Sequence, residues 1–500
     1  MQNPWQPPGE LVKLFAIIPS TSRSIIHSME NAWGLLRTHW VRAALLGLWL
    51  ALGLHPRPLL AEAAYRRGLA LLARQPEAAL PDLLAAHRAW PERADIALQA
   101  AEAAWAAQRP ALALALLRHA ASLAPLPAWA YARLSAAHMA VGQPQAALDA
   151  LQEGLRVHPH HPDLLRRLAL LAQAQGNDDL AIAALTDLVA RRPSVPEMRW
   201  RLALLLTAHD PQAALPHLEA LAPHPEYGPS ARALRDRLYL ALRQPTPSQR
   251  LTLAGEALLA QNHPALAATA LRRAVALSPN DPTAWAYLGA ALEALGDNDG
   301  LKMLRHAQRL APHAALPNLL LGRYWLRRGH PEQALPWLQA AVNADPKNPR
   351  LHLLLAQALG QIARNLPRAT GALQRATALA PYAPQVWQQA AQLALGLSLP
   401  PAQTLPLARR AAALAPNSPA ALTLLGQALL QAEDPLTAQR LLERALAQDP
   451  GYAPAHLYLG VALLRQNQTR AAQEHFRWAA RLAPANSFVA RQARAWLQRP

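Results

Sequence analysis

Along most of the chain, apolar residues recur at i, i+3, i+4 and i+7, the period of an amphipathic helix, and almost no segment alternates as a strand would. The helical runs come in pairs. A run such as "DPTAWAYLGAALEALG" is followed by a small or polar break, as at Gly142-Gln143, Gly296-Asp297 or Gly329-His330. A second run then ends near "ALAP", "ALSP" or "AQDP". The closing proline stops the helix, because it lacks an N–H and clashes with the preceding turn. A second proline often opens the next pair, as in "SPNDP", "DPKNP" and "APNSP". The pattern predicts an all-α chain built of helix hairpins.

The closing prolines act as a ruler. They stand at Pro91, Pro125, Pro159 and Pro193, then at Pro279, Pro312, Pro346, Pro381, Pro416, Pro450 and Pro484. Apart from one gap, the steps are 33 to 35 residues. A steady period of this length marks a repeat array in which each unit buries its apolar face on its neighbours.

Within the units, "WAYLGAAL" places Trp285, Leu288, Gly289 and Leu292. "NLLLGRYW" places Leu321, Gly322 and Trp325, followed by Ala334, Leu338, Ala341 and Pro346. "LTLLGQAL" and "LYLGVALL" repeat the arrangement, with Ala438, Leu442, Ala445 and Pro450 after the first and Ala472, Phe476, Ala479 and Pro484 after the second. The pattern resembles the tetratricopeptide repeat: W-x2-L-G-x2-Y, then A-x3-F, then P. The resemblance covers roughly Leu60 to Pro484. It implies a right-handed superhelical α-solenoid of about twelve helix-turn-helix repeats with a C-terminal capping helix.

The expected organisation has five parts. Residues 1–60 form an extension with a hydrophobic segment at 43–54. Residues 61–223 form a first array of about five repeats, and 224–247 an irregular seam holding one unpaired helix. A second array of about seven repeats fills 248–484, and a capping helix 485–500. Two departures stand out. The first unit lacks the Leu-Gly pair at its usual place. Pro81, Pro216, Pro336 and Pro406 sit inside second helices, which a late helix start or a mild kink would accommodate.

Candidate chemistry is sparse. There is no cysteine, which removes thiol nucleophiles, disulfides and thiolate metal sites. Neither G-x-G-x-x-G, G-x-x-x-x-G-K nor H-E-x-x-H occurs. His158, His160 and His161 cluster in "VHPHHP", but in a proline-rigid turn without i, i+4 spacing, so they read as solvated turn residues. The repeats consume nearly all of the chain and leave no stretch for a catalytic domain. The expectation is a non-enzyme with no catalytic residue, no cofactor, no metal and no small-molecule substrate.

Function then falls to surfaces. In proteins of this family the first helices line a concave groove that holds peptides or partner helices. The resemblance therefore points to Arg323 and Arg327, Gln357 and Gln361, Gln388 and Gln392, Gln427 and Gln431, and Arg465 as groove-facing. The paired residues are spaced i, i+4, so both members point the same way. Such a stripe suits extended backbone, carboxylates or polar side chains; a merely wetted face is the competing reading. The N-terminal groove reads as apolar, from Trp129, Met139 and Ala140. The family's chaperone-tail clamp uses Lys and Asn at set places; lysine occurs here only at 13, 302 and 347, so that clamp is not matched.

The net charge is +18. The arginines are spread along the chain, and the wealth of Ala, Leu and Pro points to codon bias, so charge alone does not name a partner. Arg272-Arg273 and Arg409-Arg410 on second helices read as solvated exterior. The expected function is a scaffold that binds one or more proteins or peptides. The alternative is a basic helical-repeat protein that binds nucleic acid or another anionic polymer. Recurrent base-reading pairs and aromatic residues at one offset are missing, which weighs against nucleic acid.

The segment "AALLGLWLALGL" (43–54) carries no charge. Twelve helical residues span about 18 Å, short of the roughly 30 Å hydrocarbon core. Arg37 and Arg42 precede it, and Ala61-Glu62-Ala63 offers a cleavage pattern. Export signal, membrane anchor and buried capping helix all remain open; a start at Met29 would give an export signal a normal length. The first two readings lead to an exported or cell-envelope protein with possible membrane association, the third to a cytoplasmic one.

Overall fold

The computed structural model describes residues 56–192, 194–362 and 365–498. Among them are 26 helices and no strand. Segment 43–54, with its export and anchor readings, lies outside the described residues. Among the described residues no helix is long and apolar enough to cross a membrane.

The chain divides into two compact units between residues 193 and 194. The first holds four hairpins: α1 (Pro56–Leu72) with α2 (Pro76–Ala89), α3 (Ala94–Ala106) with α4 (Pro110–Leu123), α5 (Ala128–Ala140) with α6 (Pro144–Val157), and α7 (Pro162–Ala174) with α8 (Asp178–Arg191). The second opens with α9 (Pro196–His209) and α10 (Pro211–Leu221), followed by α11 (Gly228–Leu242). Seven hairpins follow: α12 (Pro247–Ala260) with α13 (Pro264–Leu277), α14 (Pro282–Ala294) with α15 (Asp299–Leu310), α16 (Ala315–Arg327) with α17 (Pro331–Ala344), α18 (Pro349–Gln361) with α19 (Leu366–Leu379), α20 (Pro384–Gly396) with α21 (Pro401–Leu414), α22 (Pro419–Gln431) with α23 (Pro435–Gln448), and α24 (Ala453–Arg465) with α25 (Thr469–Leu482). The single helix α26 (Phe488–Leu497) closes the unit. Within each unit every helix packs on its sequence neighbour, as in a solenoid.

Local chemistry makes each hairpin. Many helices start with proline at the first position, where the missing N–H would be unpaired anyway. Several first helices end in a left-handed residue, such as Gly329 (φ 75°), and the next amide closes the turn, His330 N donating to Trp325 O at 2.9 Å. The Leu-Gly pair has a packing role. A Cβ on Gly322 would lie 2.5 Å from Leu338, one on Gly426 2.8 Å from Leu442, and one on Gly460 2.6 Å from the Phe476 ring. The glycine is the socket into which the large residue of the second helix fits.

Five of the ruler prolines also leave a carbonyl outside the helix that a side-chain donor six residues on satisfies. Trp285 Nε1 donates to Pro279 O at 2.7 Å and Asn318 Nδ2 to Pro312 O at 2.8 Å. Trp387 Nε1 donates to Pro381 O at 3.2 Å. His352 Nε2 and His456 Nε2 face Pro346 O and Pro450 O at 2.9 and 3.0 Å, so these nitrogens carry the proton. The repeat's tryptophan position is thus interchangeable among N–H donors. Trp387→Phe keeps most of the ring but removes one donor from the Pro381 carbonyl, leaving Arg410, and one from that of Ala380, leaving the Ala383 amide. It is expected to cost about 1 kcal/mol, measurable as a lower denaturant midpoint with an unchanged slope.

The division into compact units falls at 193/194, and the irregular stretch 224–247 lies within the second unit. The unpaired helix is there, as α11, but it buries Ala231, Leu234, Leu238 and Ala241 between α10 and α12. Moreover α9 packs directly on α12 and α13, so α11 is an inserted helix within the second unit. The first unit keeps its glycine: Gly68 receives Leu83, whose Cγ would lie 2.6 Å from an added Cβ. Only the preceding leucine is replaced, by Arg67, which pairs with Asp82 at 3.1 Å. Finally, Pro81, Pro216, Pro336 and Pro406 lie inside helices that begin five residues earlier, at Pro76, Pro211, Pro331 and Pro401, which leaves the kink of the two accommodations.

Candidate partner-binding groove

The site is built by repetition of one helix register in the second unit. The ninth residues of α16, α18, α20 and α22 are Arg323, Gln357, Gln392 and Gln427. Because successive first helices pack side by side, these residues form a ladder across four repeats. Two cavities lie along it. One, of about 890 Å³, is lined among others by Leu319, Arg323, Arg350, Leu354, Gln357, Gln361, Gln389, Gln392 and Gly396. The other, of about 750 Å³, is lined among others by Gln385, Gln388, Gln389, Gln392, Gly396, Thr423, Gln427, Tyr452, Tyr458 and Phe488. They share Gln389, Gln392 and Gly396, so they form one groove from α16 to α26.

The groove floor is rich in unspent hydrogen-bonding capacity. Among the described residues, Gln357, Gln361, Gln389, Gln392 and Gln427 have no side-chain hydrogen bond within the chain, and Gln388 only a long one to Ser418 Oγ (3.4 Å). Each free amide offers two donors and an acceptor at fixed intervals. Thr423 Oγ1 is buried and unpartnered beside them. No Asp or Glu lines either cavity. Arg323 still meets water, yet the groove walls crowd it. That burial, with Arg327 close by, pushes its pKa below the usual arginine value, while Glu293 opposes the shift. At the other end, burial raises the Tyr452 and Tyr458 phenols, Asp449 adding to the effect on Tyr452, so both stay neutral donors.

Of the sequence-derived candidates, Arg323, Gln357, Gln361, Gln388, Gln392 and Gln427 line the groove. The other three do not. Arg327 is ion-paired with Glu293 of α14, whose side chain is only 8% exposed. Gln431 donates to Leu399 O (2.6 Å) and accepts from Thr404 Oγ1 (2.9 Å). Arg465 donates to Leu430 O. The last two tie neighbouring repeats together. Sequence reasoning missed Arg350, Gln385, Gln389, Tyr452 and Tyr458. The face of α20 that meets the groove carries 385, 389, 392 and 396, at i, i+4, i+7 and i+11, so the signal for Gln389 was its spacing from Gln385 and Gln392.

The first unit has a smaller hollow, of about 330 Å³, and it is charged rather than apolar. Trp129 lines it together with Gln99, Glu102, Arg133, Asp163 and Arg167. Arg133 grips Glu102 with two bonds (2.7 and 3.0 Å), and Asp163 takes Arg166 and Arg167 at 2.7 and 2.8 Å. Met139 and Ala140 lie outside its lining. The three clustered histidines diverge: His158 Nε2 meets Leu126 O, His160 Nδ1 meets Asp187, and His161 Nδ1 is buried without a partner. Arg273 and Arg410 are exposed, as expected, and each also donates to a backbone carbonyl, His209 O (2.7 Å) and Pro381 O (3.3 Å).

Models of the tetratricopeptide repeat match residues 133–196, 167–223, 252–300, 298–349, 319–384 and 429–497. The chain belongs to the tetratricopeptide repeat family. No curated protein matches the sequence. Among solved structures, the chain is similar to yeast Tom70 (16% identity, TM-score 0.38, 81% of this chain and 95% of that one). It is also similar to the anaphase-promoting complex hetero-tetramer Cut9–Hcn1 (14%, 0.37, 90% and 98%). A third is YrrB, described as a repeat protein of this family with an unusual peptide-binding site (19%, 0.28, 46% and 99%). Repeats of this family are protein-interaction scaffolds, which is the coarse function of this chain.

Proposed function

We propose that the chain is a non-catalytic assembly scaffold that holds an extended partner segment in the groove between α16 and α26. The observation that carries this reading is the ladder Arg323–Gln357–Gln392–Gln427, with its amides unpaired within the chain, lining a continuous groove. Backbone N–H and C=O groups of an extended segment need donors and acceptors at regular intervals, and glutamine supplies both. The alternative use of +18 net charge, binding nucleic acid, gains little here, because the groove is mostly amide and apolar with two arginines at one end. The uncharged segment 43–54 supports a further proposal, that this scaffold works at the cell envelope.

The test is affinity for a partner recovered by crosslinking from the native cells. Gln389→Ala combined with Gln392→Ala removes two amides that nothing in the chain requires. At about 0.5–1.5 kcal/mol each, the pair is expected to weaken binding about tenfold, with the melting temperature unchanged. Full affinity in the double variant would remove the groove from the account.

A further inference from the structure

The two ends of the groove differ in chemistry. This inference rests on the groove being a segment-binding site and asks what the segment must carry. At the α16–α18 end stand two guanidinium groups, Arg323 and Arg350, lining one cavity with no carboxylate among its walls. Neither has an ion pair or a side-chain hydrogen bond among the described residues. The carboxylate whose charge reaches Arg323, Glu293, is already bonded to Arg327. Arg323 is exposed within the groove, so its unpaired guanidinium is open to an incoming anion. The middle is neutral amide: Gln357, Gln389, Gln392 and Gln427. The α22–α26 end is apolar and aromatic, with Leu424, Tyr452, Tyr458, Val489 and the exposed Phe488.

We infer that the groove selects an acidic, extended polypeptide segment of a partner protein, bound in one polarity, with carboxylates on Arg323 and Arg350 and an apolar side chain against Tyr458 and Phe488. Arginine suits this task, because its fork takes a carboxylate by two parallel hydrogen bonds. Four helix-to-helix steps of about 9 Å separate α16 from α24, and an extended chain covers about 3.3 Å per residue. The segment is therefore about ten residues long. A basic segment is rejected by two unpaired cations, and a wholly polar one leaves the aromatic end unfilled.

The experiment uses the purified full chain and fluorescein-labelled decapeptides. One peptide carries four Glu at its N-terminal end and Phe-Leu at its C-terminal end; a second has the reverse order. Counterparts replace Glu by Gln or by Lys. Anisotropy is read at two salt concentrations, together with the same measurement on a labelled single-stranded RNA. The expected result is that one Glu peptide, in one order only, binds about tenfold or more tighter than its Gln counterpart and that the Lys counterpart is not bound. The combined variant Arg323→Gln, Arg350→Gln is expected to erase that preference while leaving the Gln peptide within about twofold. Both residues line an open groove, so thermal melting of the variant should match the parent. If Glu, Gln and Lys peptides bind alike, and all are displaced by filling the groove through Gly396→Trp, acid selection is overturned while segment binding stands. If no peptide responds to Gly396→Trp, the groove reading itself fails. RNA binding that exceeds the Glu peptide and disappears in the arginine variant would also overturn the inference.

Discussion

Gly396→Trp is expected to abolish partner binding while leaving the fold intact. Gly396 is the last residue of α20 and lines both halves of the groove. A Cβ added there meets nothing within 4 Å, and the residue has no positive φ. The helix gains from replacing glycine by a residue with lower backbone freedom. The indole then enters the space shared by the two cavities, and a side chain of this size covers about 150–250 Å². Affinity is expected to fall about 100-fold or more, equivalent to roughly 3 kcal/mol, with the melting temperature within about 2 °C of the parent. Titration calorimetry and a thermal melt on the same preparation check both halves. The contrast with Gly322 and Gly460 is instructive: there an added Cβ strikes Leu338 or Phe476, so substitution would damage folding before it informed on binding.

Phe476→Ala is expected to have the largest effect on stability. Phe476 is 2% exposed, closes over Gly460 and stacks on Trp496 with ring centroids 5.8 Å apart. Removing a buried phenylalanine costs about 3–5 kcal/mol. In a repeat array that loss falls on the nearest neighbours rather than on the whole chain. Hydrogen exchange should therefore show α24–α26 losing protection while α12–α18 keep theirs. Because α24 and α26 carry Tyr458 and Phe488, the same variant should also lose the apolar end of the groove and weaken partner binding. Uniform loss of protection along the second unit would contradict the nearest-neighbour account.

The repeat architecture was legible because its determinants are local. Pro279 to Pro484 mark the ends of second helices, and the Leu-Gly pairs mark the crossings with Leu338, Leu442 and Phe476. Helix rotation was harder to read. An i, i+4 pair fixes a face of a helix but not the direction that face points, and a turn of less than one residue decides between groove and neighbour. Gln388 and Gln392 were read as a pair, whereas Gln389 lies on the face carrying 385, 392 and 396. At the thirteenth helix position Gln361 and Gly396 line the groove, while Gln431 and Arg465 reach carbonyls of the adjoining repeat. The sequence offers no sign of those acceptors, because they are backbone atoms about 32 to 35 residues away. The inserted helix α11 was visible as a break in the ruler. Whether it divides the array or joins it depends on Leu234 and Leu238 being buried between two neighbours, a tertiary property.

The central claim is that the partner lies along the first-helix face of the second unit. The most direct measurement places a photo-crosslinking amino acid at residue 389, inside the groove, and separately at residue 409, an exposed position on second helix α21. Crosslinking is carried out in the native cell and quantified against the partner. The account predicts strong crosslinking from 389 that disappears when Gly396→Trp is added, and little from 409. Equal yields from both positions, or yield from 389 that survives Gly396→Trp, would contradict it.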